Sequence, residues 1–302
     1  MRGENVDGAL GPAGRVDALA CVLRSGRAGA LRRSCGADFS GSAKRQIAGL
    51  VVDTWIPDSQ TPGQWPIVLF SHRYRGCNTQ SSFLMLALAG AGYAVFAPKH
   101  RDADCGKLQS WLPRPEIPFS NPENWTDETY ADRAQDLENL LNALQEDPRF
   151  RAPQFDLQHV GLVGHSLGGY TVLELAGGWP HWRDPRVKAV IALSPYAAPF
   201  AVQHTLGQVD APVMYLGGSR DIPITASLER REGAYEQTPA PKYLVVIDGA
   251  GHLAWVDNRA TAKHPLTIEY GLAFFDRYLK GKRFPRDLQE PGPGVADLRF
   301  QE

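Results

Sequence analysis

Short apolar runs closed by glycine, proline or aspartate alternate along this chain with longer segments whose apolar positions recur every three to four residues. The runs predict strands at 47–55, 67–70, 93–97, 187–193, 212–216 and 243–247, and a further strand from 160 up to a glycine-rich turn at 164–169. The longer segments predict helices at 79–90, 126–146, 167–176 and 266–279. In the second of these, Thr126 is the expected N-cap, Asp127 and Glu128 fill the first turn, and Leu137, Leu140, Leu141 and Leu144 share one face. Strands that alternate with helices give a mostly parallel sheet covered on both faces. The expected architecture is therefore a single α/β domain over residues 46–283, preceded by a poorly structured extension at 1–45 and followed by a C-terminal tail at 284–302.

Composition changes this picture little. A length of 302 residues suits one large α/β domain, and a formal net charge of -1 gives no reason to expect a nucleic-acid partner. No apolar run reaches the roughly 18 residues of a membrane span. Residues 1–45 are rich in Gly, Ala and Arg, and Asp17, Arg24 and Arg27 interrupt the apolar stretch around Cys21. No signal peptide is expected, and a cytoplasmic location is favoured over export. No internal repeat stands out.

The chemistry enters at Gly164 to Gly168, the sequence GHSLG. A serine between glycines two residues away on either side, after an apolar run and before a helix-forming one, is the pattern of a strand-to-helix elbow with Ser166 at its tip. The unpaired N–H groups that open the following helix would face the same spot. A serine hydroxyl is a poor nucleophile near neutral pH, so the elbow calls for a base and a carboxylate to orient it. Asp221 follows the strand at 212–216 in the stretch GGSRD, and His252 follows the strand at 243–247 in DGAGH. Both would leave the carboxyl edge of the sheet, where open α/β folds bind ligands.

Other candidates have plainer readings. Asp248 sits in a strand-end Asp-Gly turn, Asp257 reads as a surface or helix-start residue, and His165 should point away from Ser166 and pack. His72, His100, His159, His181, His204 and His264 lack a partner pattern. No metal-ligand spacing is present, so neither a metal nor a cofactor is expected. Cys77 and Cys105 each lie a few residues past strands expected to be neighbours. A disulfide between them is expected only in an exported protein, with two free thiols the alternative in a reducing compartment.

The stretches FSHRYRG (Phe70 to Gly76), GYAVFAPKHRD (Gly92 to Asp102), GHSLGG (Gly164 to Gly169), GGSRD (Gly217 to Asp221), GAGH (Gly249 to His252) and AFFDRYLKG (Ala273 to Gly281) resemble α/β-hydrolases of the dienelactone hydrolase and platelet-activating-factor acetylhydrolase type, related to cutinase-like polyester hydrolases. The resemblance implies an α/β-hydrolase fold with Ser166 as nucleophile, His252 as base and Asp221 as acid. It also implies an oxyanion hole formed by the backbone N–H groups of Leu167 and Tyr74. Three departures stand out. Arg73 replaces a glycine common in relatives, the nucleophile position is Ser166 where dienelactone hydrolases proper have cysteine, and the strand after the elbow ends in Ser194 and Pro195 rather than in an acid.

Loops must set specificity. The proline-rich segment 101–125 carries Trp111, Phe119 and Trp125, and Tyr196 and Phe200 follow the strand after the elbow; with Arg73 these residues are expected to form a rim around a short pocket. Their alternative fate is to pack the loop onto the domain, and a surface salt bridge is the alternative for Arg73. The expected function is hydrolysis of short, soluble carboxylic esters through an acyl-enzyme. Hydrolysis of a thioester, amide or polyester is the nearest alternative, and a non-catalytic binding protein on the same fold the more distant one.

Overall fold

The computed structural model describes residues 42–58, 60–106, 114–283 and 289–302. Trp111 and residues 1–41 of the expected extension lie outside the described residues. Strand β1 (Ser42–Ile47) already begins within the segment expected to be poorly structured. It pairs with β2 (Leu50–Trp55) through a two-residue turn at Ala48 and Gly49, both at positive φ. That turn splits what the apolar pattern presented as one strand, because a left-handed pair of residues reverses the chain.

The remaining elements alternate. They are β3 (Trp65–Ser71), α1 (Ser82–Gly90), β4 (Ala94–Pro98), α2 (Ala131–Glu146), β5 (Phe155–His165), α3 (Leu167–Leu173), β6 (Val187–Leu193), α4 (Ala198–Gln203), β7 (Val213–Gly218), α5 (Ile222–Glu229), α6 (Ala234–Gln237), β8 (Lys242–Ile247), α7 (His264–Lys280) and β9 (Val295–Gln301). The sheet order is β1-β2-β4-β3-β5-β6-β7-β8-β9, parallel from β4 to β8 and antiparallel at both edges. Side chains alternate across it. On β3, Ile67 and Leu69 join the core under α2, while Val68 and Phe70 join the opposite core beneath α1 and α7. The central strands are buried on both faces, which is why they read as unbroken apolar runs.

Two differences from the sequence reading bear on the fold. Helix α2 starts at Ala131, not Thr126, because Tyr130 takes a left-handed φ of 62° and the Thr126 and Thr129 hydroxyls instead accept from backbone N–H groups of a preceding turn. Residues 295–301 are no tail: β9 pairs antiparallel with β8, and Phe300 stacks on Tyr243 at 6.1 Å. Without it the N–H and C=O groups along one side of β8 would lie unpaired at the sheet edge. The sequence Pro291-Gly292-Pro293-Gly294 leads into the returning strand.

Candidate active site

Strand β5 ends at His165, and the chain turns into α3 through Ser166 at φ 57°, ψ −113°. A non-glycine residue at this φ is strained, and surrounding bonds must hold it there. The Ser166 N–H donates to the Leu193 carbonyl at 3.0 Å, and its own carbonyl accepts from the N–H groups of Tyr170 at 3.1 Å and Tyr196 at 3.0 Å. Glycines make the turn possible. A β-carbon on Gly164 would overlap the Gly168 carbonyl, and one on Gly168 would overlap the Ser71 carbonyl at the end of β3 and crowd the His72 carbonyl in the loop that follows. Elbow and neighbouring loop therefore meet backbone to backbone.

Asp221 opens α5 three residues past β7, and His252 lies five residues past β8. His252 Nε2 lies 3.0 Å from Ser166 Oγ, and His252 Nδ1 lies 2.9 Å from Asp221 Oδ2. The carboxylate accepts from Nδ1–H, which leaves Nε2 to accept the hydrogen bond of the Ser166 hydroxyl. Asp221 is 5% exposed, so water competes little for that bond. Asp248 instead accepts from the Ser219 hydroxyl and Asp257 from the Phe83 N–H, so neither reaches the imidazole. Ser194, at the end of β6, accepts from the Trp255 indole. His165 is buried and hydrogen-bonds on both ring nitrogens, to Gln80 and to the His252 carbonyl.

The loop that follows β3 carries Tyr74 and rests on a buried ionic cluster that the sequence reading missed. Arg133, on α2, is fully buried and grips both oxygens of Asp102 at 2.8 and 3.0 Å, while its Nη1 donates to the His72 carbonyl at 2.7 Å. Its Nη2 also donates to the Arg73 carbonyl at 3.4 Å, which accepts from the Gly76 N–H at 2.8 Å as well. That carbonyl belongs to the same peptide unit as the Tyr74 N–H, so holding the one aims the other. Burial, the largest single influence, pushes the Asp102 carboxyl up, but the Arg133 guanidinium and the other groups around it, the Arg75 N–H among them, together outweigh it and the net direction is down. Burial also holds His72 and His100 well below the ordinary histidine range, so both are neutral. His100 bridges Ser71 Oγ at 3.0 Å and Asp136 at 2.8 Å.

The expected rim is sorted by the structure into wall and support. Trp125 and Phe200 are both 0% exposed, Trp125 packing on Phe119, Tyr130, Tyr170 and Tyr196, and Phe200 stacking on Tyr170 at 4.8 Å. This corrects their assignment as substrate-contacting residues: they anchor the rim from below. Tyr196 is also buried, and its hydroxyl donates to the Phe119 carbonyl at 2.6 Å. Tyr74 and Phe119, partly exposed and 5.7 Å apart edge to face, are left as the open aromatic surface. Arg73 folds onto its own loop, its Nη1 donating to the Tyr74 carbonyl at 3.0 Å, and burial pulls its pKa down. Two apolar side chains went unnoticed in the sequence: Ile222, 70% exposed, follows Asp221, and Leu253, 39% exposed, follows His252. Cys77 and Cys105 are joined as a disulfide with a Cα–Cα distance of 4.9 Å, linking the loop after β3 to the loop after β4.

The model of the Dienelactone hydrolase family matches residues 52–270, the stretch that contains every part of this site. The chain belongs to the dienelactone hydrolase family. Its mostly parallel sheet flanked by helices is accordingly an α/β-hydrolase fold. The chain is similar to the platelet-activating factor acetylhydrolase of Canis lupus familiaris, 23% identical in an alignment over 232 residues that covers 67% of this chain and 50% of that protein. That of Cavia porcellus is 21% identical over 233 residues, 67% of this chain and 51% of the relative. The chain thus spans about half the length of the curated relatives it matches. Among the described residues of this dienelactone hydrolase family member, no group of three or more His, Cys, Asp or Glu is placed to hold a metal ion, and no helix is long and apolar enough to cross a membrane.

Asp136 makes the buried cluster sensitive to pH. Burial raises its carboxyl to about 6, even though Arg133 opposes the shift. A folded-state pKa above the unfolded value means that the native state holds the proton more tightly. The resulting stability is fully present below about 4 and is lost as pH rises through about 6. Asp136→Asn, which cannot ionise, should remove this dependence. The urea midpoint of the wild type minus that of the variant is expected to fall between pH 4 and 6.5 and to level off above about 7. A difference that is flat or rises across that window contradicts the assignment.

Proposed function

We propose that this chain is a serine carboxylic-ester hydrolase that works through an acyl-enzyme on short, soluble esters. One observation carries the reading: Asp221, His252 and Ser166 form an unbroken hydrogen-bonded chain that ends on a hydroxyl held at a strained elbow. Ser166 Oγ attacks the ester carbonyl carbon while His252 Nε2 takes the hydroxyl proton, and Asp221 keeps the proton on Nδ1. The oxyanion accepts from the backbone N–H groups of Leu167 and Tyr74. Collapse of the tetrahedral adduct expels the alcohol, which receives the proton from His252. Water, deprotonated by the same nitrogen, then attacks the acyl-enzyme and releases the acid.

The surroundings support a small substrate. Tyr74 and Phe119 stand on the oxyanion side, and Ile222 and Leu253 on the side of the acid and base, so the mouth has apolar edges without a broad apolar face. Arg73 adds a cation beside the oxyanion loop and favours esters that carry a second carboxylate or ester. The names of the two relatives speak of an acetyl group, which agrees with a short acyl chain.

Ser166→Ala should leave a folded protein with kcat/KM lower by roughly four to six orders of magnitude, and Asp221→Asn should lose roughly 10⁴-fold. Asp248→Asn and Asp257→Asn should stay within a few-fold of the wild type. An inactive Asp248→Asn beside an active Asp221→Asn would show that the acid is misassigned.

Across p-nitrophenyl esters from acetate to palmitate, kcat/KM should be highest for acyl chains of about two to six carbons, because each methylene that fits adds only about 1–3 kcal/mol and each that does not fit subtracts. A preference that keeps rising beyond ten carbons, or activation at a lipid interface, contradicts the small-pocket reading.

A further inference from the structure

We infer that Gln80 is a positioning residue for this reaction, one buried amide that keeps the oxyanion loop, the nucleophile elbow and the His252 loop in register. The inference rests on the esterase reading above. Gln80 lies in the turn before α1 and is 8% exposed. Its Nε2 is 2.8 Å from His165 Nδ1, and its Oε1 accepts from the Arg73 N–H at 3.4 Å. His165 Nε2 is in turn 2.9 Å from the backbone carbonyl of His252.

Chemistry fixes the direction of every bond in this series. A carbonyl can only accept, so His165 carries its proton on Nε2. Burial, the largest influence, holds His165 well below the ordinary histidine range, so the ring is neutral and Nδ1 is a bare acceptor. Only the NH₂ end of the Gln80 amide can satisfy it, which turns the oxygen end toward the Arg73 N–H. Three bonds then run head to tail from Arg73 through Gln80 and His165 to His252, and such chains polarise one another.

The same residue also holds the far end of the His252 loop. The Gln80 backbone carbonyl accepts from the Asp257 N–H at 2.8 Å, and the adjacent Ser81 hydroxyl donates to the Trp255 carbonyl at 2.6 Å. Gly76 leaves room for the arrangement, since a β-carbon there would overlap Gln80 Oε1. Gln80 touches neither substrate nor reacting atoms. Its effect passes through the placement of the base and of the donors on the loop at 72–75, and it should therefore appear in the transition state more than in substrate binding.

The test uses the full chain, with kcat expressed per Ser166 titrated by a p-nitrophenyl phosphonate, so that misfolded protein is not counted. Gln80→Leu should lower kcat roughly 10- to 100-fold, the scale of a misplacement of about 1 Å, with KM within about threefold. Adding His165→Phe to Gln80→Leu should cost little more, because the two act through one chain of bonds. If Gln80→Leu does not fold, Gln80→Asn, whose shorter amide cannot reach His165, should show the same split between kcat and KM. A kcat per titrated site within twofold of the wild type, a rise in KM alone, or fully additive losses in the double variant overturns the inference. A wild type that cleaves no ester of the series overturns the functional reading instead.

Discussion

The architecture of the site depends on one close approach, that of the elbow backbone to the loop that follows β3. Gly168 has its α-carbon where a β-carbon would overlap the Ser71 carbonyl, and Gly164 stands in the same relation to the Gly168 carbonyl. The approach brings the start of α3 against the residues that precede Tyr74. It also holds Ser166 at a left-handed φ that a serine would not adopt by preference. A side chain at Gly168 would push the start of α3 off the end of β3 and the loop behind it, one at Gly164 would push β5 off α3, and no rotamer change could restore either distance, because the obstacle is backbone.

Such an approach is useful only if the neighbouring loop is itself rigid, and its rigidity comes from charge. Arg133 and Asp102 meet in bidentate geometry in the interior, with the remaining guanidinium protons given to the His72 and Arg73 carbonyls and a carboxylate oxygen accepting from the Arg75 N–H. A buried pair of this kind is weak evidence for net stability, since desolvation offsets much of the attraction. Removing one partner is a different matter and costs roughly 3–5 kcal/mol, because the other charge is left stranded. The pair therefore acts more as a device that fixes one conformation of the loop than as a source of folding energy. Gln80 and His165 hold the same loop from its other side and carry the constraint over to His252.

Ser166, Asp221 and His252 were legible in the sequence because each follows an apolar run with recognisable punctuation, and a parallel sheet brings all such loops to one edge. The alternation of strands and helices was legible for the same reason. Arg133 and Gln80 were not, because a lone polar residue on a helix or in a turn carries no sign of a partner far along the chain. Trp125 and Phe200 looked like a rim and proved to be its support, since a buried aromatic and an exposed one leave the same letter in the sequence. Ile222 and Leu253 show the converse, apolar residues that the pattern would bury and that the loops leave open. Strand β9 was hidden because Asp297 and Arg299 interrupt its apolar residues and none of its positions is fully buried at the sheet edge, where the apolar signal is weakest.

The central claim is that acyl groups pass through Ser166. Rapid acid quench of the enzyme within the first turnover of p-nitrophenyl acetate or butyrate, followed by peptide mass spectrometry, tests it directly. The account predicts a single acyl adduct, on the peptide that contains Ser166, formed together with the first equivalent of p-nitrophenol and absent from Ser166→Ala. Turnover with no adduct at Ser166, or an adduct on another residue that forms and decays at the rate of turnover, would contradict it.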